Sequence, residues 1–375
     1  MKFAKPSVFH FSRIILLVGA TFMLHAPIVQ AAGPRVASPG PGMFYHGVYP
    51  GGKSGEEDDL TLVDLQSYEK TVGAKAAWVY FSDNWYVDRK FPLGTATWIR
   101  DAGSLPFIRL MLRSKDHKIG HGEKVFTLQN IIDGKYDTDL TAWGEAAKKF
   151  GTPLMVEYGT EVNADWFGWN GRFHGGGKHE MVNGKSVPIG PARFVLAYRH
   201  IVETIRHTGA DNITWVFHLD VTDSPEHAWN VFENYYPGND IVDWIAVSCY
   251  GALTPKDPEE EKVSFREKFD PVYPRIEKLA PDKPLMIAEF GFTAGFPYGK
   301  PAPWAKAALH DILSGRWPAV RAFSWWNERW ENGGGHKHDT TMRVQDIPEL
   351  RTVFVETLRE NKSKILDRVK ILQTP

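Results

Sequence analysis

The chain has 375 residues and the composition of an ordinary globular protein, with 43% hydrophobic and 24% charged residues. Its formal net charge is −1, so nothing in the composition indicates nucleic-acid binding, which calls for a concentrated basic surface. Cys249 is the only cysteine, which excludes an intramolecular disulfide. We interpret it as a small buried apolar residue rather than a catalytic thiol.

Residues 1–31 have the pattern of a cleaved signal peptide. Three basic residues precede an apolar run from Ile14 to Leu24, and small residues precede a cleavage position after Ala31. An uncleaved membrane anchor is the alternative, but the run is short for a bilayer. We therefore predict a secreted or periplasmic protein without stable membrane insertion, whose mature part has 41 basic and 45 acidic residues and a net charge of −4.

Residues 32–42 are rich in Gly and Pro and are predicted to be a flexible leader. Eight apolar runs of strand length follow: Met43–Val48, Ala76–Phe81, Pro106–Leu112, Leu154–Tyr158, Ile213–Leu219, Val242–Tyr250, Leu285–Phe290 and Val320–Trp326. Most are apolar throughout, which is typical of parallel strands covered on both faces. Segments with helical periodicity lie between them: Asp137–Phe150, Pro191–Thr208, Phe265–Leu279 and Trp304–Gly315. The charged stretch Glu349–Lys370 is interpreted as the last helix.

This order predicts an α/β protein with one catalytic domain, a (β/α)8 TIM barrel over residues 43–375. A doubly wound open sheet is the alternative, but no Gly-x-Gly-x-x-Gly follows the first strand. In a barrel, the loops after the strands form the functional face. The glycine- and histidine-rich loop Gly168–Pro191 follows the fourth strand, and Asn332–Asp339 follows the eighth.

Two glutamates lie at the ends of predicted strands. Glu161 follows the fourth strand and precedes Trp166, Phe167 and Trp169, whereas Glu289 ends the seventh strand. Cleavage of a glycoside needs one carboxylic acid to protonate the leaving oxygen, and a second carboxylate to attack the anomeric carbon or activate water. Aromatic surroundings disfavour a charged carboxylate. We therefore interpret Glu161 as the acid/base and Glu289 as the nucleophile.

Several segments in chain order resemble one known family, glycoside hydrolase family 26, within clan A of the retaining glycosidases. They are Ile132–Asp137 with a Trp143-containing helix; Glu161, Asn163, Trp166, Phe167 and Trp169; Tyr198–His200 with Gly209–Val216; Tyr236–Val247 with Tyr250; and Glu289 before Phe290 and Gly291. The match runs from Phe44 to Leu358. It implies a (β/α)8 barrel, a retaining reaction and no metal or organic cofactor. It also implies β-linked substrates: mannans mostly, and β-1,3-xylan or mixed-linkage β-glucan in some branches.

Three positions depart from the family pattern. Thr160 stands where the family usually has His, Glu157 where it commonly has Arg, and Ser248 where it usually has an acidic residue. All three are expected near the −1 sugar subsite. The departures leave the catalytic pair intact and would suit another backbone, such as a bacterial exopolysaccharide.

Further residues are predicted to bind substrate: Asn163, Trp166, Trp169, His218, Tyr250, Trp325, Trp326 and Arg109. Tyr250 would hydrogen-bond Glu289, and strand alternation lets only one of Trp325 and Trp326 point into the barrel. Arg109 would pair with Glu157 or contact the substrate. His218 and Asp220 would contact sugar hydroxyls. The loop histidines lack the spacing of a metal site, so no metal is expected: His174, His179, His336 and His338.

The sequence therefore predicts a monomeric, endo-acting retaining β-glycanase whose partner is a polysaccharide or oligosaccharide substrate. A hydrolase or transglycosylase acting on a bacterial exopolysaccharide keeps the same fold and catalytic pair. A barrel that binds polysaccharide without cutting it is a third hypothesis. The intact pair Glu161 and Glu289 argues against that third hypothesis, because binding alone does not need both carboxylates.

Overall fold

The structure is a computed structural model that describes residues 33–51, 57–115, 120–182, 184–255, 263–330 and 340–372. Within these ranges, eight parallel strands form a closed barrel. They are β1 (Phe44–Tyr49), β2 (Trp78–Asn84), β3 (Leu105–Met111), β4 (Leu154–Tyr158), β5 (Ile213–Asp220), β6 (Trp244–Ser248), β7 (Leu285–Phe290) and β8 (Val320–Trp326). Strand β8 pairs with β1, with Ala322 opposite Tyr45, which closes the barrel. The predicted TIM barrel is confirmed, and each predicted strand overlaps an observed one.

The described residues also form α-helices around the barrel. They are α1 (Leu62–Val72), α2 (Leu93–Asp101), α3 (Leu128–Ile132), α4 (Asp137–Phe150), α5 (Ile189–His207), α6 (Phe265–Phe269), α7 (Tyr273–Leu279), α8 (Pro301–Leu313) and α9 (Pro348–Glu360). A short 3-10 turn, Phe232–Tyr235, lies between β5 and β6. The helix predicted over Phe265–Leu279 is two helices, because Pro271 has no backbone N–H to continue the first one.

Helix α4 shows how the sequence specifies the outer layer. Leu140, Trp143, Ala147 and Phe150 recur at helical spacing and are all buried against the barrel. Acidic residues lie in its first turn and lysines in its last turn, which complements the helix dipole. The helix ends at Gly151, whose φ of 76° favours glycine. The indole of Trp143 donates a 2.9 Å hydrogen bond to Asp83 at the carboxyl end of β2.

The last helix is shorter than predicted. Helix α9 ends at Glu360, and Ile365–Leu366 then pairs in parallel with the start of β1. Ile371–Leu372 pairs antiparallel with Arg35–Val36. The prediction of a helix through Lys370 is wrong, because Ile365–Leu366 adopts an extended conformation and pairs with a strand edge, as Ile371–Leu372 does just after it.

The predicted flexible leader is anchored at the amino-terminal end of the barrel. The backbone N–H of Val36 donates to the Thr214 hydroxyl at 2.8 Å, and its carbonyl accepts from the Trp244 indole at 3.0 Å. Arg35 pairs with Asp243. The leader is therefore part of the packed domain over Arg35 to Ala37, all buried. The predicted signal peptide lies outside the described residues. In the described part of the chain, no helix is both long enough and apolar enough to cross a membrane.

Candidate active site

Polar side chains are buried at the carboxyl-terminal end of the barrel. Ser248, the last residue of β6, lies opposite Glu289 of β7 on one side and Asp220 of β5 on the other. Arg109 of β3 lies opposite Glu157 of β4. Each of these side chains is less than 8% exposed. Since buried charged groups need partners, their hydrogen bonds and ion pairs define the site.

Glu161 lies on a tight turn after β4. Its φ is 51°, a left-handed conformation uncommon for glutamate and often found at functional sites. Gly159, with a φ of 71°, precedes it, and a Cβ there would lie 2.4 Å from the Phe194 ring. The turn therefore requires glycine at 159 and directs the Glu161 side chain into the barrel mouth, where it is buried.

The Glu161 carboxyl group accepts a hydrogen bond from a neighbouring indole. Nε1 of Trp166 donates to Oε2 at 2.5 Å. Burial, reinforced by the negative charge of Asp220, raises the pKa of Glu161 to about 7, against the opposing effects of His218, Ser248 and Trp166. Near neutral pH this carboxyl group can therefore carry a proton to a leaving group.

Glu289 has a different set of partners. The Tyr250 hydroxyl donates to Oε2 at 2.9 Å, and the Tyr80 hydroxyl lies 3.2 Å from Oε1. The Arg109 guanidinium lies 3.7 Å from the same oxygen. Burial raises the pKa of Glu289 to about 7; Arg109 opposes this, and the charge of Glu161 adds to it. The predicted hydrogen bond from Tyr250 is present, while its contact with substrate stays a prediction.

The two glutamates are electrostatically coupled, because ionising one disfavours ionising the other. Glu289 faces a guanidinium, which favours its charged form. Glu161 faces Asp220 instead, which disfavours its charged form. We therefore assign the first ionisation of the pair to Glu289, with the proton remaining on Glu161. A carboxylate and a neighbouring carboxylic acid are the two groups that glycoside cleavage requires.

Arg109 joins several acidic groups at the centre of the site. It pairs with Glu57 and Glu289, and its Nε lies 3.6 Å from Glu157 and 3.3 Å from the Thr160 hydroxyl. The predicted pairing with Glu157 is therefore present. Because the guanidinium is 3% exposed and surrounded by protein acceptors, it serves to hold Glu289. Substrate contact by Arg109 is not supported.

Two of the three departures from the family pattern, Glu157 and Ser248, contact the buried His218, and the third, Thr160, contacts Glu157. Glu157 accepts hydrogen bonds from the hydroxyls of Tyr80 and Thr160, both at 2.5 Å, and its Oε2 lies 2.9 Å from Nδ1 of His218. Nε2 of His218 lies 2.9 Å from the Ser248 hydroxyl. His218 has no exposed surface. The prediction that it contacts sugar hydroxyls is wrong, because both ring nitrogens are bonded within the protein.

The tryptophans after Glu161 have different roles. Trp166 is half-buried beside the Glu161 carboxyl group, so it stays a candidate for sugar stacking. Trp169 is 3% exposed, stacks on Phe167 with ring centres 4.6 Å apart, and donates to the Thr160 carbonyl. The prediction of substrate contact by Trp169 is wrong, because its ring and its N–H both support the turn that carries Glu161.

Asn163 also supports the loops of the site. Its side-chain amide donates to the carbonyls of Asp220 and Thr222 and to the Asp223 carboxylate, and its side-chain oxygen accepts from the Asp220 N–H. It has no exposed surface. The prediction of substrate contact by Asn163 is wrong, because these bonds tie the turn after β4 to the loop after β5.

Trp325 and Trp326 point in opposite directions, as strand alternation requires. Trp325 packs against Phe290 and Phe354 and donates to the Met342 carbonyl. Its predicted role in substrate binding is therefore wrong. Trp326 stacks on Tyr49 with ring centres 4.2 Å apart, and its ring centre lies 5.5 Å from the Arg109 guanidinium carbon. Trp326 is therefore the tryptophan of this pair that faces the site.

The sequence prediction missed Tyr80 and Glu57. The Tyr80 hydroxyl donates to Glu157 at 2.5 Å and lies 3.2 Å from Oε1 of Glu289, and Glu57 pairs with Arg109. Strand alternation was the available signal for Tyr80, because it places Tyr80 on the same face of β2 as Ser82. In the structure the Ser82 hydroxyl donates to Glu57. Glu57 carries no comparable signal in its loop.

Within the described residues, no three or more His, Cys, Asp or Glu side chains are arranged to hold a metal ion. His174 is buried and its Nε2 lies 2.9 Å from the Gly168 carbonyl, whereas His179 is exposed on a short hairpin. His336 and His338 lie outside the described residues.

Similarity to solved structures supports the same fold. GH26C from Muricauda sp. MAR_2010_75 is 14% identical, with a TM-score of 0.55 and coverage of 86% of this chain and 87% of that one. The GH26 β-mannanase BoMan26A from Bacteroides ovatus is 14% identical, with a TM-score of 0.54 and coverage of 86% and 90%. The predicted resemblance to glycoside hydrolase family 26 is confirmed at the level of the fold. No protein-family model matches the chain.

Two characterised relatives are similar in sequence. Endoglucanase H from Acetivibrio thermocellus is 24% identical over 299 residues, which is 80% of this chain and 29% of that protein. β-1,3-Xylanase TXYA from Vibrio sp. is 25% identical over 259 residues, which is 63% of this chain and 50% of that protein. The chain thus spans half or less of the length of these relatives, one of which is named an endoglucanase and the other a β-1,3-xylanase.

Proposed function

We propose that this protein is a retaining endo-β-glycanase of the family 26 type, with Glu161 as acid/base and Glu289 as nucleophile. One observation carries the proposal: the two glutamates are buried together at the carboxyl-terminal end of the barrel but have unlike partners. Glu289 has Arg109 and Tyr250, whereas Glu161 has Asp220 near it and Trp166 bonded to it.

The chemistry follows from these partners. The ionised Glu289 attacks the anomeric carbon while Glu161 gives its proton to the departing glycosidic oxygen. A glycosyl ester on Glu289 results. Glu161, now ionised, takes a proton from water, and the oxygen of that water attacks the anomeric carbon and releases Glu289. Two displacements leave the β configuration unchanged.

The proposed substrate is a β-linked polysaccharide backbone. Support comes from the glucanase, xylanase and mannanase names of the similar proteins. The half-buried indole of Trp166, beside Glu161 at the barrel mouth, suits the apolar face of a sugar ring. Thr160, Glu157 and Ser248 alter the surroundings of the catalytic pair, so mannan is one candidate backbone among several, including a bacterial exopolysaccharide.

The test is turnover of a panel of β-mannans, β-glucans, β-xylans and bacterial exopolysaccharides by the purified protein, with product sizing and proton NMR of the first product formed. We expect oligosaccharides of mixed length and a β-anomeric first product. Glu289→Ala is the control and should release nothing from the same polymer. Binding of a polymer without cleavage, equal for the wild type and Glu289→Ala, would instead support a binding barrel. An α-anomeric first product would overturn the retaining mechanism.

We also propose that the protein is exported after cleavage of residues 1–31 and acts as a monomer. The basic residues, apolar run and small residues of this segment support export. Amino-terminal sequencing of the exported protein should begin at Ala32, and light scattering should give the mass of one mature chain. Retention of the full chain in the membrane fraction would contradict export.

A further inference from the structure

Glu57 lies in the loop between β1 and α1 and has an uncommon backbone conformation. Its φ is 66°, in the left-handed region that favours glycine. The Ser82 N–H donates to its carbonyl at 3.0 Å, the Ser82 hydroxyl donates to its carboxylate at 2.7 Å, and Arg109 pairs with the same carboxylate. Strained residues persist only where the surrounding structure fixes them, often at functional sites. The geometry therefore supports a functional role for Glu57.

Glu57 and the proposed nucleophile share one guanidinium. Nη1 of Arg109 pairs with Glu57, and Nη2 of Arg109 lies 3.7 Å from Oε1 of Glu289. The two carboxylates are therefore neighbours at the carboxyl-terminal end of the barrel. The Glu57 side chain is 21% exposed, against 3% for Arg109 and 5% for Glu289. Glu57 is thus the member of this group that is most open to a molecule entering the mouth of the barrel.

The donors of Arg109 are directed at protein acceptors. Besides Glu57 and Glu289, its Nε lies 3.3 Å from the Thr160 hydroxyl and 3.6 Å from Glu157. Among the described residues, no other Lys or Arg lies within ion-pair distance of Glu289. Binding of a carboxylate or sulfate group calls for a cationic donor, most often Arg. An anionic sugar beside Glu289 would therefore meet the charge of Glu57 without a cation of its own.

A second acid on this side of the mouth does not add to that charge. Glu328 is 2% exposed, and its Oε2 accepts from the Trp326 indole at 3.0 Å. Burial, reinforced by the charge of Glu57, raises the pKa of Glu328 to about 8. Near neutral pH Glu328 is therefore mostly uncharged. Glu57, which is paired with Arg109 and partly exposed, carries the negative charge instead.

We propose that Glu57 is a specificity-determining residue: its carboxylate accepts hydrogen bonds from hydroxyls of the sugar bound beside Glu289 and repels a sugar that carries a negative charge. This inference rests on the proposed function and narrows its substrate class to backbones without uronic acid or sulfated sugars at the cleaved position. Like charges placed together at a binding site exclude wrong ligands in this way. Among exopolysaccharides, the uncharged ones would then be substrates and the acidic ones would not.

The kinetic test compares one β-glucan or β-mannan with the same polymer after its C6 hydroxymethyl groups are oxidised to carboxylates. The wild type should prefer the neutral polymer in kcat/KM, and Glu57→Gln should reduce that preference by at least about tenfold. The ratio of the two rates cancels any effect of the variant on Arg109 and Glu289 that both polymers share. An unchanged ratio in Glu57→Gln, or a wild type without preference, would overturn the proposal.

Two control variants separate this role from a general effect of charge or folding. Glu57→Asp keeps the carboxylate and should keep a preference for the neutral polymer. Glu145→Gln removes the same charge from an exposed position on α4 and should leave the ratio unchanged. Loss of the preference in Glu145→Gln as well would overturn the proposal, because net charge alone would then explain the selectivity.

A second test does not need turnover. Glu161→Gln, which lacks the proposed acid/base, is titrated with a neutral oligosaccharide and with its C6-oxidised counterpart, and Kd is measured by calorimetry. The neutral one should bind more tightly, and adding Glu57→Gln should reduce the difference at least about tenfold. Equal binding of the two by Glu161→Gln would overturn the proposal. A difference that depends on Glu57, without cleavage of any β-glycan by the wild type, would support the charge selection and count against the proposed function alone.

Discussion

The Tyr250 hydroxyl donates a 2.9 Å hydrogen bond to Oε2 of Glu289, on the carboxylate oxygen opposite the one that faces Tyr80 and Arg109. One oxygen of the proposed nucleophile therefore accepts a hydrogen bond from Tyr250, and the other lies within ion-pair distance of Arg109. These neighbours hold the carboxylate in one orientation and favour its charged form.

Tyr250→Phe should lower kcat/KM by about 10- to 100-fold, because one hydrogen bond to a charged group contributes about 1.5–3 kcal/mol. The pKa of Glu289 should rise when the donor is lost, so the acidic limb of the pH profile moves to higher pH. Tyr158→Phe is the matched control: Tyr158 is buried, and its hydroxyl has no hydrogen-bond partner among the described residues. Equal losses in the two variants would contradict the role of Tyr250.

Glu289→Ala and Glu161→Ala should differ on an aryl β-glycoside with a very acidic leaving group. Without Glu289 no nucleophile remains, so turnover should be lost. Without Glu161 the first step still proceeds, because such a leaving group needs little protonation. Azide should then rescue Glu161→Ala and yield a β-glycosyl azide, detectable by mass spectrometry and NMR. Equal loss in both variants, with no azide product, would count against these assignments.

Trp166→Ala and Trp169→Ala should separate function from folding. Trp166 is half-buried beside Glu161, so its loss should lower kcat/KM at least about tenfold, or about 1.4 kcal/mol, with a nearly unchanged Tm. Trp169 is buried against Phe167, so its loss should cost about 3–5 kcal/mol of stability. Thermal melts and kinetics on both variants provide the check. A large drop in Tm for Trp166→Ala with full activity of the folded fraction would show that Trp166 is structural.

Glu161→Gln should stabilise the protein at high pH. The folded-state pKa of Glu161 is about 7, above the ordinary value of 4.5. Protonated Glu161 therefore makes its full contribution to the free energy of unfolding below pH 4.5. That contribution is lost as the pH rises through 7. At pH 8 the glutamine variant should gain about 3 kcal/mol, and at pH 4.5 almost nothing. Chemical unfolding at both pH values measures this.

Glu157→Gln is the contrasting variant for that experiment. The pKa of Glu157 is lowered in the fold, because His218 and Arg109 outweigh the effect of burial. Its charge therefore contributes stability above its ordinary pKa, and that contribution is lost as the pH falls through the lowered value. At pH 8 the variant should lose about 1–3 kcal/mol, because Arg109, Thr160 and His218 lose the charged acceptor that they contact. Stabilisation by Glu157→Gln at pH 8 would contradict the ion pair.

The barrel was predictable because its strands are near-continuous apolar runs of similar length. Periodicity also predicted α4 over Asp137–Phe150 with its observed bounds. Helical periodicity gave the wrong prediction where pairing with strands distant in sequence determined the local structure. Ile365 lies in the charged stretch predicted as the last helix and Ile371 directly follows it, yet both pair with strands that lie early in the chain. Sequence alone does not show which edges are free to accept such pairs.

The site was predictable in residue type but not in orientation. Glu161 and Glu289 were recognised because strand ends deliver side chains to one face of a barrel. Asn163, Trp169 and His218 lie in the same segments, yet their polar atoms bond to the protein. A sequence pattern shows that a polar group is near the site. Only coordinates show whether its hydrogen-bonding capacity is already used.

The pairing of Arg35–Val36 with Ile371–Leu372 has a practical consequence for handling the protein. Both described ends of the chain meet at the amino-terminal end of the barrel, beside Thr214 and Trp244, while Glu161 and Glu289 open at the other end. A tag, surface linker or fused module attached at either end would therefore project away from the cleft. Joining the two ends and opening the chain elsewhere should give a circular permutant with the barrel order intact.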